Sequence, residues 1–198
     1  LLGETTKEYT FESCGETLDM AELQEIWESK LEPVYPYRKA GPTVEKINGK
    51  LNAPAAPKIG VAKPKVIIPV FPGTNCEYDT AKAFARAGAD PEILVIRNLT
   101  PADVAESCKA LVKAIDNSQI VMLPGGFSGG DEPDGSAKFI ASFFRNPEVT
   151  EAVRRLLQQR DGLMLGICNG FQALIKLGLV PYGDIRPITP YDPTLTFN

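Results

Sequence analysis

Hydrophobic and polar residues follow two alternating patterns from Val66 onward. Short, nearly continuous apolar runs are separated by longer segments in which apolar residues recur every three or four positions. The short runs are typical of strands buried on both faces, and the longer segments are typical of helices with one buried side. Alternation of this kind is typical of βαβ units. The sequence therefore predicts an α/β fold with an open, mostly parallel sheet flanked by helices.

Four strands and four helical regions are predicted in this part of the chain. The strands are expected at 65–71, 92–96, 119–123 and 162–167. One helix is expected to begin at Glu77, and a second at Pro101 with Thr100 as its N-cap. A pair of helices is expected over about 136–159, and a further helix at 169–177. One side of the first helix carries the residues that we expect to be buried, namely Tyr78, Ala81, Phe84, Ala85 and Gly88.

The first 64 residues have a different character. A short amphipathic helix is predicted at 20–27 behind an Asp19 cap, and six prolines follow between positions 33 and 64. We expect an N-terminal piece at 1–40, a Pro-rich linker at 41–64 and the α/β domain at 65–198. The chain opens without Met and stops without a helix or tail pattern. We therefore expect both ends to be cut and the α/β domain to be truncated at its C-terminus.

Composition narrows the functional classes. A net charge of −4 and a pI near 5.0 supply no basic surface for a phosphate backbone, so nucleic acid is a poor partner and a small anionic or zwitterionic substrate stays open. No stretch approaches the roughly 20 apolar residues of a membrane span, and no signal-peptide pattern is present. The four cysteines form no CxxC pair and the sequence has no histidine. We therefore expect no metal site, and reduced thiols in the cytoplasm.

The strongest candidate for chemistry is the segment Gly166-Ile167-Cys168-Asn169-Gly170, which lies between a predicted strand and a predicted helix. A cysteine in this position has the form of a nucleophile elbow, in which a sharp turn strains the central residue and flanking glycines avoid backbone clashes. The start of a helix also stabilises a thiolate through its dipole and its unbonded N–H groups. Cys168 is therefore the predicted nucleophile.

Two other loops follow neighbouring strands and should meet the elbow at one crevice, because open α/β sheets bind ligands at the carboxyl ends of their strands. One loop, 124–131, is rich in glycines such as Gly125 and Gly126, whose N–H groups suit an oxyanion. It is not a phosphate loop, since no Gly-Lys-Ser/Thr follows. The other loop, 72–77, is either a plain turn with Asn75 as a helix cap or part of the site.

Alternatives stay open for the cysteines. An isolated Gly-x-Cys-x-Gly is as readily a small residue beside a tight turn as a nucleophile, and the strand-turn-helix context of Cys168 favours chemistry. Cys76 is the rival nucleophile because it also lies near a helix start, although it lacks the flanking small residues. Cys108 falls on the buried side of its helix, so we expect it to be a core residue with no chemistry.

Three segments together resemble the class I (triad) glutamine amidotransferases, and most closely the glutaminase domains of phosphoribosylformylglycinamidine synthases. They are Gly166-Ile167-Cys168-Asn169-Gly170-Phe171-Gln172, Gly125-Gly126-Phe127-Ser128 with Gly130-Asp131, and Pro72-Gly73-Thr74-Asn75-Cys76-Glu77. Their order and spacing also match, and the resemblance covers residues 65–187. It implies a flavodoxin-like layering of the sheet, and it implies that residues 1–40 are the end of a preceding synthetase domain.

The resemblance also implies a mechanism and a partner. Cys168 would attack the carboxamide of glutamine to form a thioester, with the oxyanion held by backbone N–H groups of Gly126 or Phe127, beside Gly125, and of Asn169. Gln172 would help to bind glutamine. The ammonia would pass to the synthetase part, which uses ATP and Mg²⁺ in de novo purine biosynthesis. No cofactor is implied for this chain itself.

The resemblance fails at one point, because the family pattern needs a histidine oriented by a glutamate and this sequence has no histidine. No other side chain has an ordinary pKa near 7, so we expect this chain to be inactive by itself. Two other functions stay open. One is a non-catalytic scaffold or interaction domain of the same fold, and the other is a cysteine-elbow hydrolase.

Overall fold

The structure is a computed structural model, and it describes residues 3–34, 60–127, 137–193 and 195. Contacts within the chain divide it into two compact units, Leu1–Leu51 with Thr196–Asn198 and Asn52–Leu195. The predicted linker at 41–64 lies outside the described residues except for its last five positions. The predicted boundaries at 40 and 64 therefore stay predictions. Within the described residues, no helix is long and apolar enough to cross a membrane.

The first unit contains a small hairpin and one helix. Strands β1 (Thr10–Ser13) and β2 (Glu16–Asp19) pair antiparallel, and helix α1 (Met20–Ser29) follows directly. Cys14 and Gly15 both have a positive φ, which is typical of a tight two-residue hairpin turn. The side chain of Asp19 accepts hydrogen bonds from the N–H groups of Ala21 and Glu22, which confirms the predicted helix cap.

The second unit is an α/β layer structure. Its strands are β3 (Lys65–Val70), β4 (Asp90–Val95), β5 (Ile120–Leu123) and β6 (Leu163–Gly166). Its helices are α2 (Glu77–Arg86), α3 (Pro101–Asp116), α4 (Lys138–Phe144), α5 (Pro147–Arg154) with a π-helical turn at Arg155–Gln159, α6 (Asn169–Leu177) and α7 (Leu179–Tyr182). The strands form one parallel sheet in the order β4-β3-β5-β6. The predicted fold class is confirmed.

Alternate residues of the central strands pack on opposite faces of the sheet. On one face, Ile67, Val121 and Leu123 join the main core, which α3, α4, α5 and α6 complete. On the other face, Val66 and Ile68 pack in a smaller cluster against the residues of α2. This alternation follows from the two-residue period of a strand, and it explains why the apolar runs of the central strands are continuous.

Helix α2 is less buried than expected. Ala81 and Phe84 pack on the sheet as predicted, but Tyr78 is 68% exposed, and Ala85 and Gly88 are also exposed. Among the described residues, α2 is the helix that packs on this face, so it contacts the sheet along a narrow line rather than a broad stripe. The helical period indicated the correct side of α2, and tertiary packing set how much of that side is buried.

Candidate active site

The segment from β6 into α6 has the backbone of a nucleophile elbow. Cys168 lies between the end of the strand and the first residue of the helix, with φ of 53° and ψ of −112°. A non-glycine residue is rarely found there, because its Cβ approaches its own backbone too closely, and such strained residues concentrate at functional sites. The Cys168 side chain is exposed. The turn therefore presents the thiol to solvent at the carboxyl end of the sheet.

The two glycines of this motif are required by close backbone contacts. A Cβ on Gly170 would lie 2.0 Å from the carbonyl oxygen of Leu123 in β5, and a Cβ on Gly166 would lie 2.6 Å from the backbone of Gly170. Both distances are far below van der Waals contact. Any side chain at either position would push α6 away from the strands. The glycines thus let α6 begin directly at the sheet, with Cys168 at its N-terminal end.

The loop after β3 and the loop after β5 are joined by their backbones. Thr74 and Gly126 form an antiparallel bridge, Asn75 N–H donates to the Gly125 carbonyl at 3.1 Å, and Phe127 N–H donates to the Gly73 carbonyl at 2.9 Å. Gly126 has a φ of 135°, and a Cβ there would lie 2.4 Å from the Gly73 oxygen. Glycine at 126 is therefore necessary for the two loops to lie so close.

Gly125 connects this pair of loops to the elbow. A Cβ at Gly125 would lie 3.4 Å from Cys168 Cβ, 3.7 Å from Cys76 Sγ and 3.7 Å from the carbonyl oxygen of Ile167. The three loops that follow β3, β5 and β6 therefore meet at this glycine. Cys76 lies next to the elbow, which agrees with the expectation that the loop 72–77 meets the elbow at one crevice. The sequence did not predict how close Cys76 comes to Cys168.

Two polar residues of α6 also lie at the site. Asn169 is only 3% exposed, and its side-chain Nδ2 donates to Gln172 Oε1 at 3.3 Å. Gln172 lies one helical turn after Cys168, and its backbone N–H donates to the Cys168 carbonyl at 3.0 Å. As the first residue of the helix, Asn169 has a backbone N–H that points out of the N-terminal end, where helices stabilise negative charge.

The structure also bears on the two proposed oxyanion donors of the glycine-rich loop. Phe127 has a side chain that is 79% exposed, and its N–H is already bonded to the Gly73 carbonyl. Of the two alternatives, Gly126 is therefore the better candidate donor. The remaining residues of that loop, including Ser128 and Asp131, lie outside the described residues. Their part in the site stays a prediction.

The described residues contain no group of three or more His, Cys, Asp and Glu side chains that is arranged to hold a metal ion. Burial and the nearby charge of Glu148 raise the pKa of the Cys108 thiol, which is 5% exposed in the core. Cys108 is therefore a packing residue, as predicted. The reactive chemistry of this unit is left to the two exposed cysteines, Cys76 and Cys168.

Residues 63–198, which are more than half of the chain, match the CobB/CobQ-like glutamine amidotransferase domain. The chain therefore belongs to the glutamine amidotransferase family, the class that the α/β fold and the cysteine elbow also indicate. The resemblance to the glutaminase part of phosphoribosylformylglycinamidine synthases is confirmed by individual relatives. The subunit PurQ of that enzyme from Dehalococcoides mccartyi is 37% identical over 123 residues, which are 61% of this chain and 43% of the relative.

A second PurQ subunit, from Methanococcus maripaludis, is 39% identical over 119 residues, which are 59% of this chain and 38% of the relative. The chain thus spans less than half the length of these relatives. Among solved structures, PurLQS from Thermotoga maritima is similar with a TM-score of 0.42 and 27% identity, covering 59% of this chain and 45% of that chain.

Proposed function

We propose that this chain carries the glutamine-hydrolysing, ammonia-donating site of a phosphoribosylformylglycinamidine synthase that acts in de novo purine biosynthesis. The observation that carries the proposal is the strained, exposed Cys168 at the N-terminal end of α6, beside Gly125 of the glycine-rich loop. The relatives that bear this enzyme's name support the substrate class. Glutamine, whose carboxamide carbon is open to attack by a thiolate, is the proposed substrate.

The proposed chemistry proceeds through a thioester. Cys168 Sγ bonds to the carboxamide carbon of glutamine, and negative charge develops on the carboxamide oxygen, where the N–H groups of Gly126 and Asn169 would stabilise it. The C–N bond then breaks, and the nitrogen takes up the proton that the Cys168 thiol released and leaves as ammonia. Water hydrolyses the thioester to glutamate and restores the thiol. Gln172 would bind the substrate on the first turn of α6.

The proposed partner is the synthetase part of the same enzyme. That part would receive the ammonia and use it with ATP and Mg²⁺, so neither is proposed to bind to this chain. The names of the relatives, which are subunits of a synthase, support a site that works next to another catalytic part. An ammonia-donating site needs such a neighbour because free ammonia is largely protonated at neutral pH and is then no nucleophile.

We also propose that the 198-residue chain by itself does not turn over glutamine. The sequence has no histidine, and a thioester mechanism needs a group that transfers protons near neutral pH. Glutamine hydrolysis by the isolated chain that disappears in Cys168→Ala would contradict this part of the proposal. It would leave the assignment of the nucleophile intact.

Covalent labelling by a glutamine-like chloroketone tests the proposed function without requiring turnover. Intact mass and peptide mapping should show one label, on Cys168, which is absent in Cys168→Ala and slowed by excess glutamine but not by asparagine. Cys14→Ala, which removes another exposed cysteine, is the matched control and should label normally. Equal labelling of Cys14 and Cys168, or labelling that glutamine does not slow, would instead support a scaffold or a hydrolase of another substrate.

A further inference from the structure

The two exposed cysteines of the second unit lie next to the same glycine. Cys76 Sγ is 3.7 Å and Cys168 Cβ is 3.4 Å from the place that a Cβ of Gly125 would occupy. Since both distances start from the same point, Cys76 Sγ and Cys168 Cβ are at most about 7 Å apart. The two residues are separated by 92 positions in the sequence, so tertiary structure alone brings them together.

The space beside the two cysteines is free of a side chain because residue 125 is a glycine. Gly125 does not have a positive φ, so its backbone conformation does not demand glycine. A methyl group there would nevertheless lie in van der Waals contact with both Cys168 and Cys76. With only hydrogen at this position, no side chain of residue 125 occupies the space beside the two cysteines. A disulfide needs Cβ atoms roughly 3.5–4.5 Å apart, so its formation here requires the two loops to reach that separation.

Both cysteines are also accessible to a small oxidant. Cys76 is the N-cap residue of α2, and Cys168 is the N-cap residue of α6. Neither thiol is shielded from solvent, so a peroxide can reach both sulfurs. By contrast, Cys108 is buried in the core, and Cys14 belongs to the other compact unit. The pair Cys76 and Cys168 is therefore distinct among the four cysteines.

We propose that Cys76 and Cys168 form a reversible oxidation site, in which a hydroperoxide converts the two thiols to a disulfide. The Cys168 thiolate attacks the peroxide oxygen and becomes a sulfenic acid, and water or an alcohol leaves with the other oxygen. The Cys76 thiol then attacks the Cys168 sulfur, the S–OH bond breaks, and water leaves as the S–S bond forms. The peroxide gains the two electrons that the two sulfurs lose.

The disulfide would block the reaction of Cys168 with glutamine and would also protect Cys168 from further oxidation. It occupies the sulfur that the proposed function assigns as nucleophile, so the oxidised chain should not react with glutamine analogues. It also removes the sulfenic acid before a second peroxide oxidises it irreversibly to the sulfinic acid. A dithiol reductant would restore both thiols by thiol–disulfide exchange. The inference rests on the proposed function only for this loss of reactivity, and not for formation of the bond.

Oxidation followed by mass spectrometry tests the pair. The reduced chain is treated with hydrogen peroxide, quenched by alkylation in denaturant, and digested without reductant. The wild-type chain should give a peptide that links Cys76 to Cys168 and should lose two hydrogen atoms of mass. Cys76→Ser should instead accumulate the sulfinic acid of Cys168, and the control Cys14→Ser should behave as wild type. Gly125→Ala should slow linkage at least about tenfold, because its methyl would occupy the space in contact with both cysteines.

Two results would overturn the proposal. One is oxidation of Cys168 to the sulfinic acid at the same rate in the wild type and in Cys76→Ser, with no linked peptide. The other is a Cys168 that stays unmodified under excess peroxide. Chloroketone labelling of the reduced chain keeps the two proposals apart. A linked peptide without glutamine-sensitive labelling would support the oxidation site and contradict the proposed function. Glutamine-sensitive labelling without a linked peptide would support the proposed function and contradict the oxidation site.

Discussion

The backbone N–H of Asn75 donates to the carbonyl oxygen of Gly125 at 3.1 Å and ties the loop after β3 to the loop after β5. The same glycine contacts the elbow through Cys168. One short run of backbone therefore sets the relative positions of the three loops that make the candidate site. Because β3, β5 and β6 are neighbours in a parallel sheet, their carboxyl ends bring these loops to a single edge.

Replacement of Gly170 by alanine should be strongly destabilising. Its Cβ would lie 2.0 Å from the Leu123 carbonyl oxygen, so α6 must move off the sheet. We expect a loss of about 3 kcal/mol or more in the free energy of unfolding, measured by urea denaturation. Gly125→Ala is the matched control, since its Cβ would meet its neighbours at 3.4 Å or more and should cost less than about 1 kcal/mol. Equal losses for the two variants would contradict the packing described.

Replacement of Gln172 by alanine should impair glutamine binding and leave folding intact. The Gln172 side chain is half-buried one turn after Cys168 and is oriented by Asn169. Loss of one oriented hydrogen-bonding group should slow glutamine-protectable chloroketone labelling about tenfold. Gln159→Ala, an exposed residue of the same type, should label at the wild-type rate. The prediction is wrong if both variants label alike while their unfolding midpoints are unchanged.

Because of the ion pair between Asp184 and Arg154, the free energy of unfolding should decrease at acidic pH. Hydrogen bonds from the Arg154 guanidinium, with Nε–Oδ1 at 2.8 Å and Nη2–Oδ2 at 3.1 Å, hold the pKa of Asp184 below its usual value of 3.8. Since the pKa is lower in the folded state, the stabilisation is complete above the ordinary pKa and is lost as the pH falls through the folded pKa.

Denaturant unfolding at a series of pH values measures this effect. The stability difference between the wild type and Asp184→Asn should be largest near neutral pH and should shrink below pH 3.8. Glu151→Gln removes the other carboxylate that contacts Arg154, at a more exposed position, and should have a smaller effect. A difference that stays constant from neutral pH to acid would show that the charge of Asp184 does not contribute.

Cys108 should resist alkylation in the folded chain. Its thiol is buried and its pKa is raised, so the reactive thiolate is rare and shielded. We expect iodoacetamide to modify Cys108 at least about tenfold more slowly than Cys14 or Cys76, with rates read by peptide mapping. The three rates should converge in denaturant, which serves as the control. Fast modification of Cys108 under native conditions would mean that the α3 core opens readily.

Local patterns in the sequence predicted much of the fold, because they depend on neighbouring residues. The continuous apolar run before Pro72 predicted β3, and Thr100 with Pro101 predicted the start of α3, where Asp103 completes a full capping box in the structure. The spacing of Gly166, Cys168 and Gly170 predicted a strained turn. The positive φ of Cys168 and the close contacts of both glycines have the physical form that was expected.

Other features depend on contacts between distant segments and were decided by tertiary structure. The exposure of Tyr78 depends on how much of the sheet α2 covers, which helical periodicity does not specify. The Phe127 N–H donates to a carbonyl in a loop more than 50 residues earlier. This hydrogen bond distinguishes the two candidate oxyanion donors, Gly126 and Phe127, which the sequence did not distinguish. The sequence by itself determined the four strands of the parallel sheet, the helices from α1 to α6 and the cysteine elbow, whereas the hairpin of β1 and β2 and the helix α7 were not predicted. The sequence also placed the loops of Cys76 and Cys168 at one edge of the predicted sheet. Only tertiary packing brought Cys76 Sγ and Cys168 Cβ to within about 7 Å of each other, because the distance between residues 92 positions apart depends on strand order and not on local conformational preference.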